Sequence, residues 1–183
     1  MQTNTRNLLS LKNVRWREAA VLLVVAWLVP FLVHMAPWAG VRPLGVYLLP
    51  VFWTAFVAVY FYGVAVGLAV GLITPAVNLV FTGLPLPMYI GLMALEVFLF
   101  VLFAAGTLSR WPNFRLAAPL AYLVAKAVAI GLQWTIPAFD YHRDPVDHWL
   151  TSLQNGLAGL GVLLAVNLLL VAYYPKTDPW EQE

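Results

Sequence analysis

The sequence predicts an all-α integral membrane protein, a bundle of six transmembrane helices with both termini in the cytoplasm. Three observations carry that prediction. First, hydrophobic residues make up 62% of the chain and charged residues only 10%, where an ordinary soluble domain has about a quarter charged. Such a chain cannot cover itself with polar surface, so its outer solvent is lipid. Second, the apolar residues fall into six stretches of near bilayer length, parted by segments rich in glycine, proline and charge. Third, the basic residues outside those stretches gather on one side once six crossings are drawn. Arg6, Lys12, Arg15, Arg17, Arg110, Arg115 and Lys176 share the side of the N-terminus, against Arg42 and Arg143 opposite. The positive-inside rule makes the richer side cytoplasmic.

Taken in order, residues 1–17 form a basic cytoplasmic segment, 18–173 the membrane domain and 174–183 a polar cytoplasmic tail. The first span runs from Glu18 to about Ala36. It follows a basic lead, but it is longer than the roughly 7–15-residue core of a signal peptide and reads as a span. WAGVRPLG (38–45) is a loop, and the short second span covers 46–61. The third covers 63–81 and ends in the Gly/Pro loop FTGLPLP. The fourth covers about 88–108, the basic loop SRWPNFR follows, and the fifth covers about 116–136. The longest loop, 137–149, faces outward and leads into the sixth span, about 150–173. Trp38, Tyr62, Trp111, Trp149, Tyr173 and Tyr174 sit at span ends, as an interfacial aromatic belt requires.

Two spans carry small residues every fourth position: Gly63, Gly67 and Gly71 in the third, and Ala117, Ala121, Ala125 and Ala129 in the fifth. In lipid no hydrophobic effect draws helices together, so small residues that let backbones approach mark a packing face. That face serves either the bundle itself or a partner membrane protein.

Polar side chains within spans are expensive, and candidate sites start there. Read at about 1.5 Å per residue, His34, Asn78, Glu96, Gln133, Trp134, Gln154 and Asn155 fall in the outer half of the membrane, and Lys126 near the middle. Asn167 is the exception, near the inner end of the sixth span. An ion path would leave polar groups through the whole thickness. An outward-facing pocket would not, and apolar walls with a few converging polar groups suit a small organic molecule. The candidate substrate-binding residues are therefore Glu96, Lys126, Asn78, Gln133, Trp134, Trp53, Asn155 and His34. Glu96 and Lys126 have a second reading, as an ion pair holding two helices together. The amides have one as interhelical hydrogen-bond links, and His34 and Trp134 as interfacial residues.

Other chemistries find little support. The absence of cysteine excludes disulfides, thiolate metal sites and cysteine nucleophiles. A net charge of +2 does not point to nucleic acid. Asp140, His142, Asp144, Asp147 and His148 offer metal-type ligands, but Arg143 and Pro145 interrupt them and no dense motif is present, so the loop reads as a solvated lid. With no phosphate-binding glycine loop, GxSxG or HExxH, neither an enzyme nor a cofactor is expected.

The stretch LLPVFWTAFVAVYFYGVAVGLAVGLITPAVNLVFTGLPLP joins a span, an aromatic-glycine turn, a glycine-rich span and a Gly/Pro outer loop. With ALEVFLFVLFAAGTLSR and LQNGLAGLGVLLAVNLLL, it resembles the substrate-binding S-component of energy-coupling factor (ECF) transporters, bacterial importers of vitamins and micronutrients. The resemblance extends over nearly all of 17–173. It implies a six-helix bundle in the bacterial cytoplasmic (inner) membrane that binds its substrate near the outer face. Transport would then proceed by toppling, driven by a transmembrane coupling subunit and two cytoplasmic ATPases. An Ala-x-x-x-Ala pair, common on the first helix of that family, is missing: Ala19 and Ala20 are followed at that spacing by Leu23 and Val24. The expected function is thus capture of a small vitamin-like molecule, with lipid and the transport subunits as partners. The competing expectation is a non-transporting scaffold subunit resembling cell-shape membrane proteins of similar six-helix plan.

Overall fold

The computed structural model describes residues 16–37, 44–83, 87–135 and 144–176, and among these every regular element is an α-helix. The basic segment 1–15, the loop residues 38–43 and 84–86, the loop 136–143 with Asp140, His142 and Arg143, and the tail 177–183 lie outside the described residues. In chain order the helices are α1 (Trp16–Met35), α2 (Leu44–Leu48), α3 (Pro50–Tyr62), α4 (Val64–Thr82), α5 (Pro87–Arg110), α6 (Ala117–Thr135), α7 (Pro145–Asn155) and α8 (Leu157–Tyr173). All six predicted apolar stretches are helical, but two of them are broken. Among the described residues three helices, α4, α5 and α6, are long and apolar enough to cross a membrane, and the bent pair α7–α8 makes a fourth span if it counts as one.

The second predicted span breaks at Leu49. Pro50 opens α3, where its missing N–H costs nothing, and the proline ring disfavours helical geometry in the residue before it. Leu49 leaves the helix there, in a left-handed conformation with φ 51° and ψ 45° that is uncommon for any residue other than glycine. Its carbonyl accepts the Phe52 N–H at 3.0 Å and starts the new helix. The resulting α3 has 13 residues, most of them buried, and spans about 20 Å. A helix apolar all round belongs inside a bundle, and α3 is the central element here: it packs on α1, α4, α5, α6 and α8.

One residue, Gly63, links α3 to α4. Its φ of 85° with ψ near −173° is a region open essentially to glycine alone, and it lets the chain reverse without a loop. The two small-residue faces are then used within the chain. A Cβ at Gly67 would run into Val59 of α3, and one at Gly71 into Val97 of α5. Ala117, Ala121, Ala125 and Ala129 of α6 are all buried. Of the two expectations for these stripes, packing inside the bundle is the one observed.

The sixth predicted span is interrupted at Gly156, where α7 and α8 meet at 59°. The predicted loop 137–149 is also shorter than expected, because α7 begins at Pro145. Asp144 caps it, its carboxylate accepting the Val146 N–H at 2.9 Å, and proline at the first helical position suits that start. The two breaks meet each other. The Leu49 side chain fills the space over Gly159, where a Cβ would come within 2.5 Å of Leu49 Cγ, and reaches Gly156 as well.

At the opposite end, Asn167 is fully buried on α8. It accepts the Ala118 N–H at 3.3 Å and donates to the Phe114 carbonyl at 3.1 Å. The amide thus satisfies an N–H at the start of α6 that the helix cannot satisfy itself and adds a second donor to a carbonyl that also accepts the Ala117 N–H at 3.3 Å, which accounts for a lone polar residue at that depth. Close by, the Tyr60 hydroxyl donates to the Tyr174 carbonyl at 2.7 Å. Asn113 and Lys176 exchange two bonds of 2.9 Å, fixing the chain where it leaves α8. The outside of the bundle is apolar on several helices, with Val21, Val24 and Leu32 of α1, Ile73 and Val80 of α4, Leu120 and Val124 of α6 and Leu169 of α8 all exposed. Patches of that extent are foreign to a water-facing monomer.

Candidate functional site

The site is built where the broken helices cross α5 and α6. Lys126 lies in the middle of α6 in the row of Ala118 and Tyr122, which runs beside the alanine stripe and is buried with it, so the packed side of the helix also turns the lysine inward. Its ammonium donates to Glu96 Oε2 of α5 at 2.7 Å and to Ser152 Oγ of α7 at 2.7 Å. The two charged side chains are 6% and 9% exposed. Taking each charge out of water costs several kcal/mol, and the attraction between them returns that only with good geometry and further hydrogen bonds. The serine supplies one such bond. An ammonium has three N–H donors, and the third has no acceptor among the described residues.

Tyr122, one turn before Lys126 on α6, forms the floor. It is completely buried, its ring meets Phe52 edge-on at 4.9 Å, and the Lys126 ammonium stands 5.7 Å from the ring centre. Its hydroxyl points at the helix break, 3.0 Å from where a Cβ of Gly156 would be. It lies beside Ser152 without the geometry of a hydrogen bond, and it has no other partner.

Helix α7 forms the cover. Trp149, Ser152 and Asn155 recur every third residue, each about 60° from the next around the helix axis, so the indole and the amide flank the serine that holds Lys126. Above them His148 stacks on Tyr89 of α5, the rings 5° from parallel and 6.3 Å apart. Two side chains of α7 are thus held, His148 against α5 and Ser152 against Lys126. Four buried polar atoms of these helices have no partner: Trp149 Nε1 and Asn155 Nδ2 of α7, Trp53 Nε1 in the first turn of α3, and the Tyr122 hydroxyl of α6. More than nine in ten buried polar groups in folded proteins are hydrogen-bonded, so this grouping is unusual.

Of the eight residues singled out from the sequence, Glu96 and Lys126 are in direct contact, Asn155 lies three residues from Ser152 on α7, and Asn155 and Trp53 each carry a buried donor without a partner. Asn78 is buried on α4, which packs on α1, α3 and α5. Gln133 is half-buried near the end of α6. Trp134 is 70% exposed, pointing away from the bundle as a belt residue does. His34 is in the last turns of α1, and its side chain lies outside the described detail. Three members of the site were not among the eight: Ser152, Tyr122 and Trp149. In the sequence Trp149 stands among the span-end aromatics of the interfacial belt. Ser152 was legible only as a small polar residue in the same outer turns as Asn155, and Tyr122 only as the aromatic one turn from Lys126.

Among the described residues no three histidine, aspartate or glutamate side chains come together as a metal site. No family model, curated protein or solved structure matches this chain.

Proposed function

We propose that the chain is the membrane-embedded substrate-binding subunit of an ECF-type importer. In this reading it crosses a bacterial inner membrane six times, with both termini cytoplasmic, and captures a small vitamin-like molecule from the outer side. A separate coupling subunit and two ATPases would drive delivery, in keeping with the absence of an ATP-binding motif from this sequence. The observation that carries the reading is the Lys126–Glu96–Ser152 cluster, three polar groups from three helices joined inside an apolar bundle beside two interrupted helices. Ionisable groups at membrane depth are retained where they serve a pathway or a ligand. Broken helices are a recurring way for transporters to present polar groups there.

Tryptophan fluorescence of the purified chain, titrated with a panel of water-soluble vitamins, tests the proposal, since Trp149 lies one turn from Ser152 on α7. Saturable quenching by one member supports it. So does weaker affinity in Glu96→Gln and in the paired variant Glu96→Leu/Lys126→Met, which removes both charges together. Undiminished affinity in the paired variant removes this site from consideration.

A second reading is favoured by the direct 2.7 Å contact itself: the ion pair is a fastening between α5 and α6, and the chain is a scaffold subunit that binds proteins and no small molecule. Mass spectrometry of small molecules released from the purified protein separates the two.

A further inference from the structure

We propose that α7 is a latched cover over the Lys126–Glu96 pair, a rigid helix that swings about Gly156, held shut by the Ser152–Lys126 hydrogen bond and pressed open by the Tyr122 hydroxyl. The proposal takes its purpose from the binding reading above and gives that site its means of access. Both charged side chains are almost wholly buried, so nothing reaches them while α7 stays in place. The helix is built to move as one piece. Asp144 caps its start through the Val146 N–H, and its eleven residues make a rod of about 16 Å. It meets α8 at 59° across Gly156. Asp147, His148, Ser152, Gln154 and Asn155 give α7 a polarity that α8, with Asn167 alone among residues 157–172, does not have. A segment so polar belongs at the water-facing edge of the bundle, not in hydrocarbon.

Three contacts hold the cover down. Ser152 Oγ accepts the Lys126 ammonium at 2.7 Å, His148 stacks on Tyr89 of α5, and Leu153 packs against the buried core. One group opposes them. The Tyr122 hydroxyl is buried without a partner and sits against the hinge, 3.0 Å from the position of a Gly156 Cβ. A buried hydroxyl left unpaired is costly, and water reaches it once α7 lifts. The closed position therefore carries a penalty that the open one does not. Lifting α7 breaks the bond to Ser152 but leaves the ammonium on Glu96 of α5, so the charged pair survives opening. The serine and the tyrosine thus act on one equilibrium with opposite sign.

The test uses the full chain in detergent. The chain has no cysteine, so Leu153→Cys places a single thiol on the inner side of α7, and its labelling rate by a charged methanethiosulfonate reports opening. Adding Ser152→Ala should raise that rate about tenfold, the worth of one hydrogen bond to a charged group. Adding His148→Ala should raise it about threefold, through loss of the ring stack. Adding Tyr122→Phe should lower it about threefold or more, because the stranded hydroxyl is gone. A second reporter, Ala104→Cys, lies fully buried on α5 and should label at one slow rate in all four backgrounds.

An unchanged rate in Ser152→Ala overturns the proposal. A faster rate in Tyr122→Phe also overturns it, since the hydroxyl would then help to hold the cover down. So does a rise at Ala104→Cys in step with Leu153→Cys, which would mean general loosening of the bundle. The labelling uses no ligand and reads the cover alone, whereas failure of the vitamin titration falls on the binding reading.

Discussion

Breaking the Glu96–Lys126 pair from one side should cost far more than removing it whole. Lys126→Met leaves the Glu96 carboxylate facing an apolar interior, and Glu96→Leu leaves the ammonium with Ser152 alone. The partners are 2.7 Å apart with side chains 6% and 9% exposed, so little solvent screens either charge once its partner is gone. Loss of one member of such a pair costs about 3–5 kcal/mol, whereas replacing both by apolar groups of similar volume is neutral or stabilising. For a domain of this size the melting temperature moves roughly 2–4 °C per kcal/mol. Each single variant should therefore melt about 6–20 °C lower, and Glu96→Leu/Lys126→Met should return close to wild type. Loss of helical circular dichroism on heating in detergent provides the measurement, and the four proteins form a double-mutant cycle. Single variants that melt with wild type would refute the reasoning. So would a double variant as unstable as the sum of the two singles, because the charges would then be solvated or held by other groups.

Other expectations follow from the packing. Gly159→Ala should lower the melting temperature, because its methyl would come within 2.5 Å of Leu49 Cγ and overpacking costs about 1–3 kcal/mol. Gly161→Ala, with nothing within 4 Å of the new methyl, should be neutral or slightly stabilising in the same assay. Asn167→Leu strands the Ala118 N–H and removes one of two donors to the Phe114 carbonyl, and should destabilise by about 1–3 kcal/mol for the buried N–H left unpaired, again read by thermal melting. Burial lowers the pKa of Lys176, which lies beyond the end of α8. The native state then binds fewer protons than the unfolded chain between the lowered value and the ordinary one of about 10.4, so stability rises with pH across that interval. Melting curves of Lys176→Met should lack this alkaline gain.

The legible and illegible parts of this structure divide along physical lines. The depth of Glu96 and Lys126 can be counted from the span ends, and two opposite charges at neighbouring depth on antiparallel helices have every reason to meet. The alanine stripe also fixes which face of α6 is buried. Gln133 continues that stripe four residues after Ala129 and is half-buried, whereas Trp134 is about 140° around the helix from Ala129 and is exposed. Reading the stripe through to its end would have taken Trp134 out of the pocket.

The helix breaks were harder to see. Pro50 was visible in the sequence, but a proline inside an apolar run can kink a span without ending it, as Pro30 and Pro75 lie within continuous helices here. Nothing local to Leu49 announces a positive φ. That conformation is held by contact with Gly159, more than a hundred residues away, and no local pattern encodes such a contact. The same holds for Gly156, which sequence spacing presents as one more small residue in a packing face.

The seat of Leu49 over Gly159 also constrains how this sequence can change. A side chain gained at 159 is tolerable only if 49 shrinks, and a bulkier 49 needs 159 to stay bare. The two positions are thus bound into a single size allowance across most of the chain's length. Among descendants of this sequence, substitutions at 49 and 159 should be inherited as a matched pair, leaving a covariation signal between two aliphatic positions that neither charge nor hydrogen bonding would produce.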